Sequence, residues 1–263
     1  MLTIYKHEMK ENIKNLLIWT VCIGVMGAAC VLLFSSVKES MAGIAESFSA
    51  MGAFAAAFGM SQLSIATLMG FYATEVGTVH ALGGAMFAAI LGINMLSKEE
   101  DGHTGEFLYA LPVSREKVIT AKWFAVTSNI VLLNVFCVLL YYLSILVLGE
   151  EMAFGDFFLF HGMQLFMHIE VAAICFAISA FMKKNKFGIG LGMVLLLYGY
   201  DLMARVIPDL SDYKVLSPFS YANAADIFSR SEIEVTATII GAVVLVGSLV
   251  LSYLIYRKRD LAS

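Results

Sequence analysis

Trp123–Leu148 reads WFAVTSNIVLLNVFCVLLYYLSILVL, 26 residues without a charged side chain or a proline. At 1.5 Å per residue such a run makes a helix of about 39 Å, longer than the roughly 30 Å hydrocarbon core of a bilayer. A helix that is apolar all round has no water-facing side, and in lipid it satisfies every backbone polar group within its own segment. Four other blocks meet the same length, Leu16–Ser36, Val76–Leu96, Phe157–Met182 and Val235–Tyr256, and Phe187–Ala204 is shorter but sufficient. None of them contains proline, so unbroken helices are expected. The chain therefore reads as an all-α integral membrane protein with six transmembrane helices, over 16–36, 76–96, 123–148, 157–182, 187–204 and 235–256, forming one membrane domain across 1–263.

Composition supports that reading. Sixty per cent of the 263 residues are hydrophobic and only 14% are charged, where a soluble domain carries roughly a quarter charged residues. The apolar residues fall in long blocks rather than in the shorter periodic patterns of globular helices and strands. The net charge of −4 is no guide to partners, because charged residues are segregated by side of the membrane, and no nucleic-acid partner is expected. Cys22, Cys30, Cys137 and Cys175 all lie in apolar blocks without zinc-like spacing, so buried thiols and no metal are expected. Charged residues continue to Lys14 and no small-residue cleavage site follows, so Leu16–Ser36 reads as an anchor that stays.

Orientation comes from the loops. Lys6, Lys10, Lys14, Lys98, Arg115, Lys117, Lys122, Lys183, Lys184, Lys186, Arg257, Lys258 and Arg259 fall on one side of a six-span layout, against Lys38, Arg205, Lys214 and Arg230 on the other. This thirteen-to-four bias places both termini and the 97–122 and 183–186 loops in the cytoplasm. A multi-pass protein of a bacterial plasma membrane is expected, with lipid as its solvent. Residues 1–15 read as a separate interfacial elbow helix, its Ile4, Met9 and Ile13 toward lipid. Residues 37–75 and 205–234 read as external segments with some helix. Within the first, Ala42–Phe58 is expected to form an amphipathic helix with Ile44, Phe48, Met51, Ala55 and Phe58 on one face.

Between the second and third spans stands SKEEDGHTGEFLYALPVSREKVITAKW, Ser97 to Trp123. Glu99, Glu100 and Asp101 near a helix N-terminus would favour its dipole. Phe107, Leu108 and Leu111 offer an apolar anchor ringed by charge, which a docking helix needs, and Pro112 stops the helix. Ser114 reads as the N-cap of the next helix, with Lys117 rather than Glu three residues on, so no capping box forms. The segment resembles the first cytoplasmic loop of permease subunits in the type-2 ABC exporter family. Glu99, Glu100, Gly102, His103, Thr104, Glu106, Phe107, Leu108, Pro112, Val113, Ser114, Arg115 and Lys122 match that pattern, and Tyr109 and Ala110 depart from its commoner Leu-Thr. The resemblance extends to the whole layout, from the charged N-terminal stretch to the basic tail.

The resemblance implies a cytoplasmic coupling helix that inserts into a cleft on a separate ABC ATPase subunit. Glu99, Glu100, His103, Thr104, Glu106, Phe107, Leu108, Leu111, Pro112 and Arg115 are then the coupling residues, with Glu106, Phe107, Leu108 and Arg115 central. It also implies a second permease copy, as a homodimer or related heterodimer, and ATP and Mg bound by the partner ATPase rather than by this chain. The chain has no GxxxxGK[ST] of its own and no hydrolase signature, so it is expected not to be an enzyme.

The competing reading is a gradient-driven carrier, because ionisable residues inside spans are functional candidates by default. His161, Gln164 and His168 fall at i, i+3 and i+7 on one face of the fourth span, and Glu170 lies about 200° around the helix from His168. Asp201 stands four residues before Arg205, suited to an i, i+4 pair, and the second span opens with Glu75 and His80. These residues either line a substrate path or proton relay, or hydrogen-bond between helices. A third reading is a membrane sensor or immunity protein that binds a peptide at its external segments without transporting it.

Overall fold

The computed structural model describes residues 1–105 and 112–258. Six of its helices are long and apolar enough to cross a membrane: α1 Leu2–Ser49, α2 Leu68–Met95, α3 Arg115–Leu148, α4 Phe154–Ser179, α5 Phe187–Val206 and α6 Val235–Lys258. Among the described residues there is no strand. The protein is an all-α integral membrane protein.

The helix ends follow local chemistry more closely than they follow charge. Ser114 caps α3, its Oγ accepting from Lys117 N at 3.4 Å, and Gly149 closes the same helix in the left-handed region at φ 73°. Between Leu2 and Ile23 there is no glycine or proline. Nothing therefore breaks the chain where the elbow helix was expected to end, and residues 2–15 are the first turns of α1 itself. A single π turn at Val21–Val25 interrupts the α-helical register without ending the helix.

At its other end α1 continues past Ser36 to Ser49, and Gly52 at φ 52° separates it from the short helix Ala53–Ala57. This conformation favours glycine because no Cβ is present to clash. The amphipathic helix expected over Ala42–Phe58 is thus two helices, and Ile44 and Phe48 do not share a continuous face with Ala55. The second long helix also begins before the expected Val76, at Leu68, where the Thr67 hydroxyl accepts from Gly70 N at 3.1 Å.

Helices α2 and α4 form the centre of the bundle. They approach closely because α2 presents glycines to its neighbour: a Cβ on Gly92 would sit 2.5 Å from the Ala172 carbonyl oxygen, and one on Gly84 would sit 2.2 Å from the His168 ring. By contrast α6 exposes most of its apolar side chains, Val243 among them, and α5 exposes several, Leu196 among them. In water an apolar surface this extensive would aggregate; in a membrane, lipid covers it.

The loops gather at two ends of the bundle. One end holds contacts among Glu8, Glu11, Lys98 and Lys122, and between Arg115 and the end of α6. The other joins Lys38 to Glu150 at 2.6 Å, Arg205 to Asp226 at 3.3 Å, Gln62 to Asp226 at 3.2 Å and Ser231 to Asp156 at 3.1 Å. Part of the 205–234 segment leaves the surface. After the 3-10 helix Pro208–Leu216, residues Ser217, Phe219, Ser220, Tyr221 and Ala222 are buried, before the short helix Ala224–Arg230. Part of the segment expected on the external side is therefore packed into the bundle.

Candidate functional site

The base of the 97–122 segment is built around one lysine. Lys122, two turns into α3, is fully buried. Its ammonium donates to Glu8 Oε1 at 2.9 Å, to the Met95 carbonyl at 2.9 Å and to the Glu99 carboxylate. Three acceptors match its three N–H donors. Lys98 then bridges Glu8 Oε2 and Glu11 Oε2, each at 2.5 Å. Burial alone would lower the Lys98 pKa, but the Glu8, Glu11 and Glu99 carboxylates outweigh it and hold the ammonium above its ordinary value.

A buried charge is tolerated only when paired and hydrogen-bonded, so this cluster fixes three elements relative to one another: the start of α1, the turn Lys98–Asp101 and the start of α3. Glu99 was expected to favour a helix dipole. Lys98–Asp101 form a single helical turn, and Glu99 turns inward to Lys122. Glu100 is buried beside it, while Asp101, Gly102 and His103 are exposed. His103 takes φ 53°, and Thr104 folds back, its N–H donating to the Glu99 carbonyl at 2.8 Å. Glu106, Phe107, Leu108 and Leu111, expected as the docking surface, lie outside the described residues.

The chain returns through exposed Pro112 to the Ser114 cap. Arg115 then donates from Nη1 to the Tyr256 and Arg257 carbonyls at 3.4 and 3.2 Å. A cation at a helix C-terminus satisfies carbonyls that lack intrahelical partners and complements the dipole. Glu116 pairs with Arg257 at 3.3 Å and Thr120 meets the Tyr253 hydroxyl at 2.7 Å. The two flanks of the segment are thus tied to different helices, Lys98 to α1, Glu99 to Lys122 of α3 and Arg115 to α6.

The intramembrane candidates divide among three places. His161 and His168 meet around His80, with ring centroids 4.9 and 5.4 Å from it. Asn134 bridges His80 at 3.0 Å and His168 at 3.2 Å, and the Tyr72 hydroxyl lies 2.7 Å from His161 Nε2. Gln164 leaves this group and donates from Nε2 to the Ala222 carbonyl at 2.6 Å. Glu170 accepts from the Tyr221 hydroxyl at 2.5 Å, so the packed part of the 205–234 segment reaches it and the histidines do not. Asp201 pairs with Arg205 at 2.7 Å, four residues on, and Arg205 also reaches Asp226. Among the described residues, no group of three or more His, Cys, Asp or Glu is arranged to hold a metal ion.

Sequence reasoning missed Glu8, Glu11 and Lys98 as parts of the site. The only local signal was Glu8 and Glu11 at i, i+3 on a charged helical run, which reads equally as a solvated face. Lys122 was visible only as one of the thirteen basic residues assigned to the cytoplasmic side and as a matched position of the resemblance.

A protein-family model described as ABC-2 family transporter protein matches residues 2–261 of the chain. No curated protein matches it.

Proposed function

The chain belongs to the ABC-2 transporter family as a membrane permease subunit, and from that premise we propose that it couples ATP hydrolysis by a separate ATPase subunit to export through its 97–122 segment. The observation that carries this reading is the double anchoring of that segment. On one side Glu99 and Lys98 join the buried Lys122–Glu8 pair, and on the other Arg115 holds the end of α6.

A force applied at these anchors acts directly on packed helices. Packed interiors are bistable rather than continuously deformable, so displacement of the segment moves α1, α3 and α6 together. Nucleotide binding at the ATPase then shifts the bundle between states that differ in access, as any ligand shifts an equilibrium it binds unequally. ATP and Mg belong to the ATPase, both permease termini lie in the cytoplasm, and a second permease copy covers part of the apolar surface on the outer helices. In a carrier, His161, His168 and Glu170 would serve one path; the pairing of Glu170 with Tyr221 favours interhelical hydrogen bonding for these residues.

Co-expression with the cognate ATPase tests the proposal. The wild-type chain is expected to copurify with the ATPase and to support ATP-dependent transport, and Phe107→Ala with Leu108→Ala is expected to lose both. Transport that persists without ATP, or a double variant that retains the ATPase at the wild-type level, contradicts it.

A further inference from the structure

Where the start of α1 lies against α3, the two helices leave a groove of about 400 Å³, lined by Met1, Leu2, Tyr5, Ala121, Phe124 and Ser128. Its floor is fixed: Ile4 packs with Val118 and Ala121, and one turn further along α1 Glu8 meets Lys122 at 2.9 Å. Leu2 and Phe124 are exposed, so the groove opens on the apolar surface that lipid covers. Its two polar side chains satisfy each other, the Tyr5 hydroxyl donating to Ser128 Oγ at 3.1 Å. The lining therefore asks no hydrogen bond of an occupant, and an apolar chain suits it.

The α3 side of the groove sets its depth. Lys117, Ala121, Phe124 and Ser128 stand at i, i+4, i+7 and i+11, one stripe of the helix. At 1.5 Å per residue that stripe is about 16 Å long, close to half of the roughly 30 Å hydrocarbon core. The groove thus runs through about one leaflet, with a lysine at the end nearer water. A helix from a second copy, about 10 Å across, fills roughly 1,200 Å³ over the same length, which the groove does not offer. A single acyl chain is narrower and lies along it.

Charge at the mouth selects the headgroup. Lys117 is exposed and has no ion pair or side-chain hydrogen bond among the described residues. The carboxylates near it are engaged elsewhere, Glu116 with Arg257 at 3.3 Å and Glu8 with Lys122 and Lys98. Lys6, next to Tyr5 on α1, is also exposed and without an ion pair among the described residues. A long lysine side chain at a membrane interface extends its ammonium toward the headgroups, where anionic lipid attracts it.

We propose that this groove binds one acyl chain of an anionic phospholipid, with the headgroup phosphate held at Lys117 and Lys6. The site lies within one chain, and its occupancy requires neither ATPase nor nucleotide, so it stands apart from the coupling proposal.

The test uses the purified full chain in detergent, without ATPase, titrated with phosphatidylglycerol or with phosphatidylcholine of identical acyl chains and followed by native mass spectrometry. Saturable phosphatidylglycerol binding is expected, with phosphatidylcholine at least about fivefold weaker. Lys117→Gln, an exposed change, is expected to lower the phosphatidylglycerol affinity by about fivefold and to leave phosphatidylcholine unchanged. Ser128→Phe places a ring in the groove and is expected to weaken both lipids by at least about tenfold. Leu196→Phe, on the exposed surface of α5, is expected to change neither. The proposal is overturned if the wild type binds the two lipids equally, if Lys117→Gln keeps the wild-type preference, or if folded Ser128→Phe binds both as the wild type does. A dimer that excludes phosphatidylglycerol and that Ser128→Phe dissociates would assign the groove to a second copy, which also overturns it. Should Ser128→Phe fail to fold, judged by circular dichroism, Lys117→Gln decides.

Discussion

Lys122 shows how much one side chain can hold in a bundle that lipid surrounds. Its ammonium stands between Glu8 and Glu99, and it and Lys98 together pair with three carboxylates. Lys122→Met removes the central cation, leaving buried Glu8 with Lys98 alone and Glu99 without an ion pair among the described residues. Breaking a buried pair from one side costs about 3–5 kcal/mol, so a marked fall in thermal stability in detergent is expected. Adding Glu99→Gln to that variant should recover part of the loss, because it removes the charge left without its cation; a double-mutant cycle on unfolding measures the coupling. Equal stability of wild type and Lys122→Met would show that the cluster does not hold these elements together. The sequence made some of this legible. Ser114 was readable as a cap because capping is local, needing only Ser114 and the amide of Lys117. The Glu8–Lys122 pair spans 114 residues, and no local rule connects them.

Among the elements, the six long helices were legible because hydropathy and length are properties of each segment alone. Their ends were not. The expected limits of the first span, Leu16 and Ser36, mark where charged residues stop, and charge does not terminate a helix; α1 ends instead near Gly52, where the backbone takes a left-handed turn. The close approach of α2 to α4 was also hidden, since a glycine's role depends on what faces it. Gly92→Ala drives a methyl group into the Ala172 carbonyl and should destabilise the protein by about 1–3 kcal/mol. Gly162→Ala, on α4 with nothing within 4 Å of the added Cβ beyond its chain neighbours and its own helix backbone, should be neutral or slightly stabilising. Thermal unfolding of the two variants side by side checks this. A similar loss at both positions would mean that α2 and α4 do not pack at Gly92. The packing of Ser217–Ala222 into the bundle was likewise invisible, because Pro208 and Pro218 mark a loop but say nothing about its depth.

For the whole molecule, loop parity and structure agree on a consistent partition. Lys98, Lys122, Arg115 and Arg257 meet at one end, while Lys38 and Arg205 make their contacts at the other. The charge bias assigns the first end to the cytoplasm, and the coupling proposal depends on that assignment, because an ATPase can reach the 97–122 segment only there. Exposed Thr104, which lies between the two anchors, reports on it directly. In a chain whose four native cysteines are replaced, Thr104→Cys can be probed in intact cells with a membrane-impermeant maleimide, then again after permeabilisation with and without the ATPase. The account predicts no labelling in intact cells, full labelling after permeabilisation, and protection when the ATPase is bound. Labelling of Thr104→Cys in intact cells would place the segment outside and contradict both the orientation and the coupling mechanism.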